Sequence, residues 1–343
     1  MVIDSKMKAL NTQIEKAIHK LQVYLNGAQL TSLQIQSLAK LSEELNSDRA
    51  LESIRLDPYW PKWDSPWWKM LLLYESGNKQ LILKAFLDEL VKVLDAHYLH
   101  WFPLTEAELP EGCDGYRNIM CHCALGSIYK VLEDCGFEVR TLLPWCYEWL
   151  GRYQLPDGGY NCEEGAYTKS RKSSFLSTLP MLEAMLIVYK KTKDSPIKGL
   201  LDKGAEYLLK HSIYKSSSGK LIDADWLQLS FPRYYDYDVL RGFSFVVDWA
   251  HETGYALPVS LVEDCFLQIS EQTNADGCIV VRADKLAREG SLFYSAKQWN
   301  WEDKSLSYPA LDMFNSGGDV SLPLSKVWLK TLNKLFKIVS EDG

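Results

Sequence analysis

LLLYESG (71–77), IYKVLEDCG (128–136) and VVDWAHETG (246–254) each run as an apolar, helix-like segment into a glycine. Gly136 lies 59 residues after Gly77, and Gly254 lies 118 residues, twice that interval, after Gly136. The vacant place falls near Lys193, in MLIVYKKTKDS (185–195). A second series runs out of phase with the first: Gly158 in LPDGGY, Gly219 in SSSGKL and Gly277 in NADGCI are 61 and 58 residues apart. Two interleaved series with one period describe a repeated helix–turn–helix unit of about 60 residues. No such unit buries its apolar face alone, so the units pack side by side. In a closed ring of hairpins, equivalent loops gather at one end, and a site is expected there.

The chain has 343 residues, 47% of them hydrophobic, enough for a large core. The unbroken repeat reads as one domain, 1–343, with 1–56 an N-terminal hairpin region and 57–343 the repeat core. Net charge is −7, with acids and bases mixed along the chain, so no basic face tracks phosphates and nucleic acid is not an expected partner. The first 25 residues alternate charge with apolar residues and lack the apolar core of a signal peptide. No apolar run of about 18 residues is present, so no transmembrane helix is expected. The eight cysteines follow no framework spacing. The expectation is a cytoplasmic protein with reduced thiols.

Leu10, Ile14, Ala17, Ile18, Leu21 and Leu25 keep helical period, and Thr31 or Ser32 is suited to cap a second helix ending near Leu45. The prolines of RLDPYWPKWDSPWW (55–68) forbid regular structure before Ser65, and Pro66 suits a first helical turn. From there two series alternate, one over roughly 65–76, 116–135, 173–191 and 236–253, the other over roughly 79–99, 139–153, 196–212 and 258–272. The segment 291–315 mixes loop and helix signals, and PLSKVWLKTLNKLFKIV (323–339) is an amphipathic helix. About twelve helices, or six hairpins, predict an all-α, (α/α)6 toroid with a central cavity. The second-series helices lead into long loops rich in Trp, Tyr, Arg and acids. That is not a disorder composition, and long loops of this kind are commonly functional.

WCYEWLGRYQLPDGGYNCEEG (145–165), STLPMLEAML (177–186) and SLPLSKVWLKTLNKL (321–335) resemble the repeat and closing helix of the terpenoid cyclase and protein prenyltransferase superfamily, including the squalene cyclases. The resemblance spans roughly residues 60–340 and implies an α/α toroid around an apolar cavity. It departs at two motifs. Where class II cyclases carry Asp-x-Asp-Asp, YYDYDVLRG (234–242) has Asp236 and Asp238 followed by Val239. The Asp-x-Cys zinc motif of the prenyltransferase β-subunits has no counterpart in this chain. The fold hosts many chemistries, so architecture carries over and mechanism does not.

Four constellations carry candidate chemistry. In FPRYYDYDVLRG (231–242), Asp236 and Asp238 are candidate acids, one kept protonated by burial or by the other's charge, with Arg233 and Arg241 beside them and Tyr234 and Tyr235 as an aromatic wall. The plain structural alternative is a cap at Asp236 and an Asp238–Arg241 ion pair. In DGGYNCEEGAYTKSRKSSF (157–175), Glu163 is a candidate acid/base, Asn161 a polar contact and Arg171 a cation beside a helix start; a solvated loop explains them equally. In CDGYRNIMCHCALGS (113–127), Arg117 faces the mouth and His122 is a candidate ligand-binding residue. Zinc could combine His122 or Cys121 with Cys162 from the next hairpin, but one turn does not aim Cys121, His122 and Cys123 at a single ion. A Cys-His pair at an inner helix start is also similar to that of the lanthipeptide cyclases, a zinc-bearing toroid family. No other cofactor is expected. In DPYWPKWDSPWWKM (57–70), Trp63 and Trp67 flank Asp64, and Trp299 joins them from the last loop: either an aromatic cage or packing of the loop onto the rim.

The leading expectation is therefore a terpenoid-cyclase-like or prenyltransferase-like enzyme acting on an isoprenoid or other apolar small molecule. The alternatives are a carbohydrate-active hydrolase or lyase using Glu163, His122, Asp236 and Tyr235, and a non-catalytic ligand-binding toroid. A dry aromatic chamber favours the first, an open wet groove the second, and a chamber filled by its own side chains the third.

Overall fold

The computed structural model describes residues 2–282, 286, 289–315 and 317–341. The chain opens with α1 (Val2–Gly27), which packs along the C-terminal helix of residues 322–341, and α2 (Ser32–Leu45) follows it. The turn between α1 and α2 is closed by a reciprocal capping box: the Gln34 amide N–H donates to the Thr31 hydroxyl, and the Thr31 N–H donates to the Gln34 side chain. A short helix not anticipated from the sequence, α3 (Asp48–Leu56), follows, capped by Ser47. Then α4 (Pro66–Glu75) opens on Pro66 at N1, as expected of a residue that lacks an N–H to satisfy.

The alternation continues with α5 (Lys84–His97), α6 (His122–Asp134), the short α7 (Val139–Leu142), α8 (Pro144–Arg152), α9 (Phe175–Thr192), α10 (Ser195–Lys210), α11 (Val239–Thr253) and α12 (Val259–Ser270). Pro144 separates α7 from α8 inside the span read as one helix. The expected helix starts at 116 and 236 move later in the chain. Asp114 accepts the N–H groups of Tyr116 and Arg117 and turns that segment, while Asp238, not Asp236, caps α11. The result is an all-α toroid. Among the described residues, the helices α4, α6, α9, α11 and α14 (Leu322–Glu341) line a central chamber. Buried side chains from Leu10 to Val339 form one cluster.

The periodicity becomes geometry at the helix ends. Gly77, Gly136 and Gly254 adopt φ of +79°, +89° and +72°, and Lys193 fills the vacant place with φ +55°. That left-handed residue ends the helix by letting its N–H reach back to a carbonyl of the last turn, and only glycine adopts it without strain. Equivalent positions on neighbouring inner helices then meet, one period apart: Tyr74 with Asp134, Lys191 with Glu133, Arg241 with Glu183, and Lys190 with Asp248. Helices α6 and α9 approach closest at Gly126, where a Cβ would lie 2.3 Å from the Pro180 carbonyl carbon.

One element departs from the all-helical expectation. β1 (Ser291–Ser295) and β2 (Gln298–Glu302) form an antiparallel hairpin, Ser291 opposite Glu302. Its two-residue turn places Ala296 and Lys297 at positive φ, a job normally signalled by Asn-Gly or Asp-Gly, so the hairpin was invisible in the sequence. The short helix α13 (Pro309–Phe314) precedes α14.

Candidate functional site

At the N-terminal ends of the inner helices the aromatic loops converge, as the ring required, but they fill the space between them. Trp63 stacks on Tyr234 with centroids 5.1 Å apart and meets Trp68 edge-on at 4.6 Å. Trp67 is fully buried behind them. Trp63 donates its indole N–H to the Leu286 carbonyl at 3.0 Å, tying loop 57–65 to the last loop. Lys62 lies over this floor, 5.4 Å from the Trp63 ring centroid, donating to the Tyr235 hydroxyl at 2.8 Å and pairing with Glu289 at 3.2 Å. Asp64 pairs with Lys69 at 2.9 Å. Arg117 stacks over Trp299 at 5.0 Å and reaches Asp114 at 3.3 Å. The rim is a packed plug with a polar upper surface. Beneath it Asp57 is buried, and desolvation pushes its carboxyl up to about 6 against the N–H groups of Trp60 and Tyr59.

The carboxylates expected to act as acids sit apart from any open space of this rim. Asp238 is buried and accepts the Arg241 backbone N–H at 2.7 Å, a helix cap. The Arg241 guanidinium does not pair with it. It forks onto Glu183 at 2.9 and 2.7 Å and donates to the carbonyls of Tyr234 and Asp236 at 3.0 and 2.8 Å. Arg241 therefore pins the 234–236 loop to α9, and the Asp238–Arg241 side-chain ion pair expected from the sequence is replaced by Arg241–Glu183. Asp236 is half-buried on that pinned loop. Glu163 and Arg171 are exposed. Asn161 is a turn residue: its side chain accepts the Glu163 N–H and donates to the Lys172 carbonyl.

Beside Asn161 lies a cluster the sequence reading had divided between elements. Cys121 and Cys123 from the start of α6 meet Cys162 from loop 153–174, with all three sulfurs within 4.8 Å of one another. His122 lies between them: its Nδ1 is 2.7 Å from the Asn161 carbonyl, its Nε2 is buried without a hydrogen-bond partner, and neither nitrogen joins the three sulfurs within that distance, though the ring stays close enough to act on the Cys162 thiol. The structure brings Cys121 and Cys123, beside His122, to Cys162. The chain kinks at the Cys121 cap, which lets residues two apart face the same way. Contacts from Cys121 and Cys123 hold the Cys162 thiol well below the usual range, and His122 adds to this.

The open volume lies deeper, in the C-terminal half of the ring. It is a chamber of about 460 Å³ between the inner helices. Seven Lys and Arg side chains and three carboxylates line it, with Tyr74, Phe245, Leu186, Ile187 and Val327 between them. Glu183 is its anchor. Burial pushes its carboxyl up, but Arg241 and Lys130 outweigh burial and hold it well below the usual carboxylate range. Lys190 and Lys334 share Asp248. Burial first, then the charges of Lys334 and Lys330, push the Lys190 ammonium down. Arg233 projects into the chamber with Nε and Nη1 buried and without hydrogen-bond partners, its nearest carboxylate oxygen, on Asp238, 3.9 Å away. Sequence reasoning missed Glu183, Lys130, Lys190 and Lys330. The available signal was a lone glutamate in the apolar run STLPMLEAML, one period before Arg241.

No protein-family model matches the chain, and no curated protein matches it in sequence. Among solved structures it is similar to a glycosyl hydrolase of family 88 from Bacteroides vulgatus, at 10% identity and a TM-score of 0.45, covering 96% of this chain and 99% of that one. It is similar to a polysaccharide lyase at 13% identity and 0.42, covering 97% and 98%. It is also similar to a type II terpene cyclase from Scytonema at 9% and 0.37, covering 97% and 99%. At these TM-scores the likeness carries no argument about chemistry, which must come from this chain's own side chains.

Proposed function

We propose that the central chamber binds a small anionic molecule, one bearing a phosphate or carboxylate group, with Arg233 and Lys330 as the cations that meet it. The observation that supports this reading is the chamber's sign. Seven cationic side chains and three carboxylates line the chamber, and Lys191 and Arg233 also meet Glu133 and Asp238 behind the lining, so the surplus positive charge rests on Lys330 and the unmet donors of Arg233. The three carboxylates are taken up within the lining, Glu183 by Arg241 and Lys130, Asp248 by Lys190 and Lys334, and Asp134 by the Tyr74 hydroxyl. Arg233 keeps buried donors unmet, and Lys330 enters no ion pair among the described residues. A guanidinium with free donors in a low-dielectric cleft is a strong carboxylate or phosphate receptor.

A pure hydrocarbon fits this lining poorly, because dehydrating each ion costs several kcal/mol with nothing returned. The isoprenoid expectation is retained in the form of a prenyl diphosphate, whose head would meet Arg233. The carbohydrate expectation is retained as an acidic saccharide. Both share the anion, and calorimetric titration separates them. Inorganic pyrophosphate, geranyl diphosphate and a uronic acid oligosaccharide are titrated in parallel with squalene as the uncharged control. Binding of an anion, weakened tenfold or more by Arg233→Ala and by rising salt, is the expected result. Saturable binding of squalene alone, or anion binding untouched by Arg233→Ala and Lys330→Ala, would overturn the reading.

A further inference from the structure

We propose that Cys121, Cys123 and Cys162 form a thiolate site for a thiophilic divalent cation, zinc being the best match. The site lies at the N-terminal end of α6, about 13 Å along the helix from Lys130 in the chamber, taking nine residues at about 1.5 Å each. It is independent of the anion reading.

The geometry is that of a ligand set. Cys121 and Cys123 sulfurs are 3.0 Å apart, Cys123 and Cys162 sulfurs 3.9 Å, and no pair exceeds 4.8 Å. Zinc–sulfur bonds of about 2.3 Å in a tetrahedral shell place sulfurs roughly 3.8 Å apart. The Cys123–Cys162 edge is already close to that value, and the Cys121–Cys123 edge has to open on binding. Two hairpins of the toroid supply the ligands, Cys121 and Cys123 opening α6 and Cys162 following the Gly158 turn, so tertiary structure assembles the cluster.

The surroundings act unevenly on the three sulfurs. Cys121 is the N-cap residue of a 13-residue helix, whose dipole favours an anion, while the Cys162 sulfur and burial push its thiol up, so a bound cation has to displace that proton. The Ser177 hydroxyl donates to the Cys162 sulfur at 3.0 Å, a support of the kind that orients metal ligands from behind. His122 acts through the loop: its contact with the Asn161 carbonyl holds the residue before Cys162 in place. All three cysteines are half-buried, so water can complete a fourth coordination position. Binding releases the thiol protons still present and changes no oxidation state.

The test uses the full chain, expressed with added zinc and purified under reducing conditions without chelator. Metal content is read by inductively coupled plasma mass spectrometry and by native mass spectrometry. The expected result is one zinc per chain, lost in Cys162→Ser and in Cys123→Ser and retained in Cys113→Ser, which alters a cysteine outside the cluster. Cobalt substitution in the wild-type chain should give a sulfur-to-metal charge-transfer band, a readout that does not depend on whether a variant folds. A metal-free wild-type chain with every thiol freely titratable would overturn the proposal. So would a chain lighter by two protons, which would mark a Cys121–Cys123 disulfide, or a zinc that survives both serine substitutions.

Discussion

At the N-terminal end of the inner ring, Trp63, Trp68 and Tyr234 meet at 4.6 to 5.2 Å and leave nothing between them; in the C-terminal half, Glu183, Arg241 and Lys130 stand around a chamber of about 460 Å³. Both regions are built from large side chains brought together by the same repeat. Aromatic faces and edges attract one another and exclude water, so the plug closes. Ammonium and guanidinium groups tie neighbouring helices through shared carboxylates at their edges and keep their remaining donors toward water, so the space between them is not filled by apolar side chains. A ring of hairpins can be stoppered at one end and kept open at the other by side-chain chemistry alone.

Several substitutions would break or sharpen that contrast. Trp63→Ala should destabilise most, by about 5 kcal/mol in urea unfolding, because it leaves a void among rings that cannot collapse. A loss below about 2 kcal/mol would show the plug to be loosely packed. Glu183→Gln should cost about 4 kcal/mol, since it leaves Arg241 and Lys130 facing each other without a carboxylate. The Glu183 carboxyl is depressed in the fold, so its contribution is complete above the unfolded value near 4.5 and is lost as pH falls through the lower folded value. Acid titration of stability should therefore flatten in the Gln variant.

Asp57 gives the opposite sign at the opposite end. Its carboxyl is raised from 3.8 to about 6, so the fold binds its proton more tightly and wild-type stability falls as pH rises through that window. Asp57→Asn keeps an acceptor for Tyr59 and Trp60 and removes the charge. It should be more stable than wild type by up to about 3 kcal/mol at pH 8, with the difference gone near pH 4, as thermal melts at both values would show. Glu163→Ala and Arg171→Ala, both exposed side chains, should stay within about 0.5 kcal/mol of wild type in thermal melts, and a larger loss would show that they stabilise the fold.

Much of the frame was legible. The vacancy at Lys193 was located by arithmetic and proved to hold the same left-handed conformation as the three glycines. The capping box at Thr31 and the start at Pro66 follow from local chemistry that needs no partner. The hairpin at 291–302 was not legible, because Ala296 and Lys297 occupy a turn whose preferred residues they are not. The aromatic loops were rightly gathered at one rim. Whether their rings would line a space or fill it depends on ring-to-ring distances that composition does not contain. That Cys121 and Cys123 would face the same way was not legible for a related reason: helical spacing separates them, but Cys121 sits just outside the helix, where backbone direction is not helical.

The sequence by itself determined the period, the helical hairpins and the residues that end them, because each depends on φ preferences and apolar spacing within a few turns of chain. Only the tertiary structure decided where charge and sulfur collect. Arg241 finds Glu183 58 residues away, and Cys162 lies 39 residues from Cys123. Contacts at those separations are set by how neighbouring hairpins rotate against one another, which is fixed by packing such as Gly126 against Pro180 and not by any local signal.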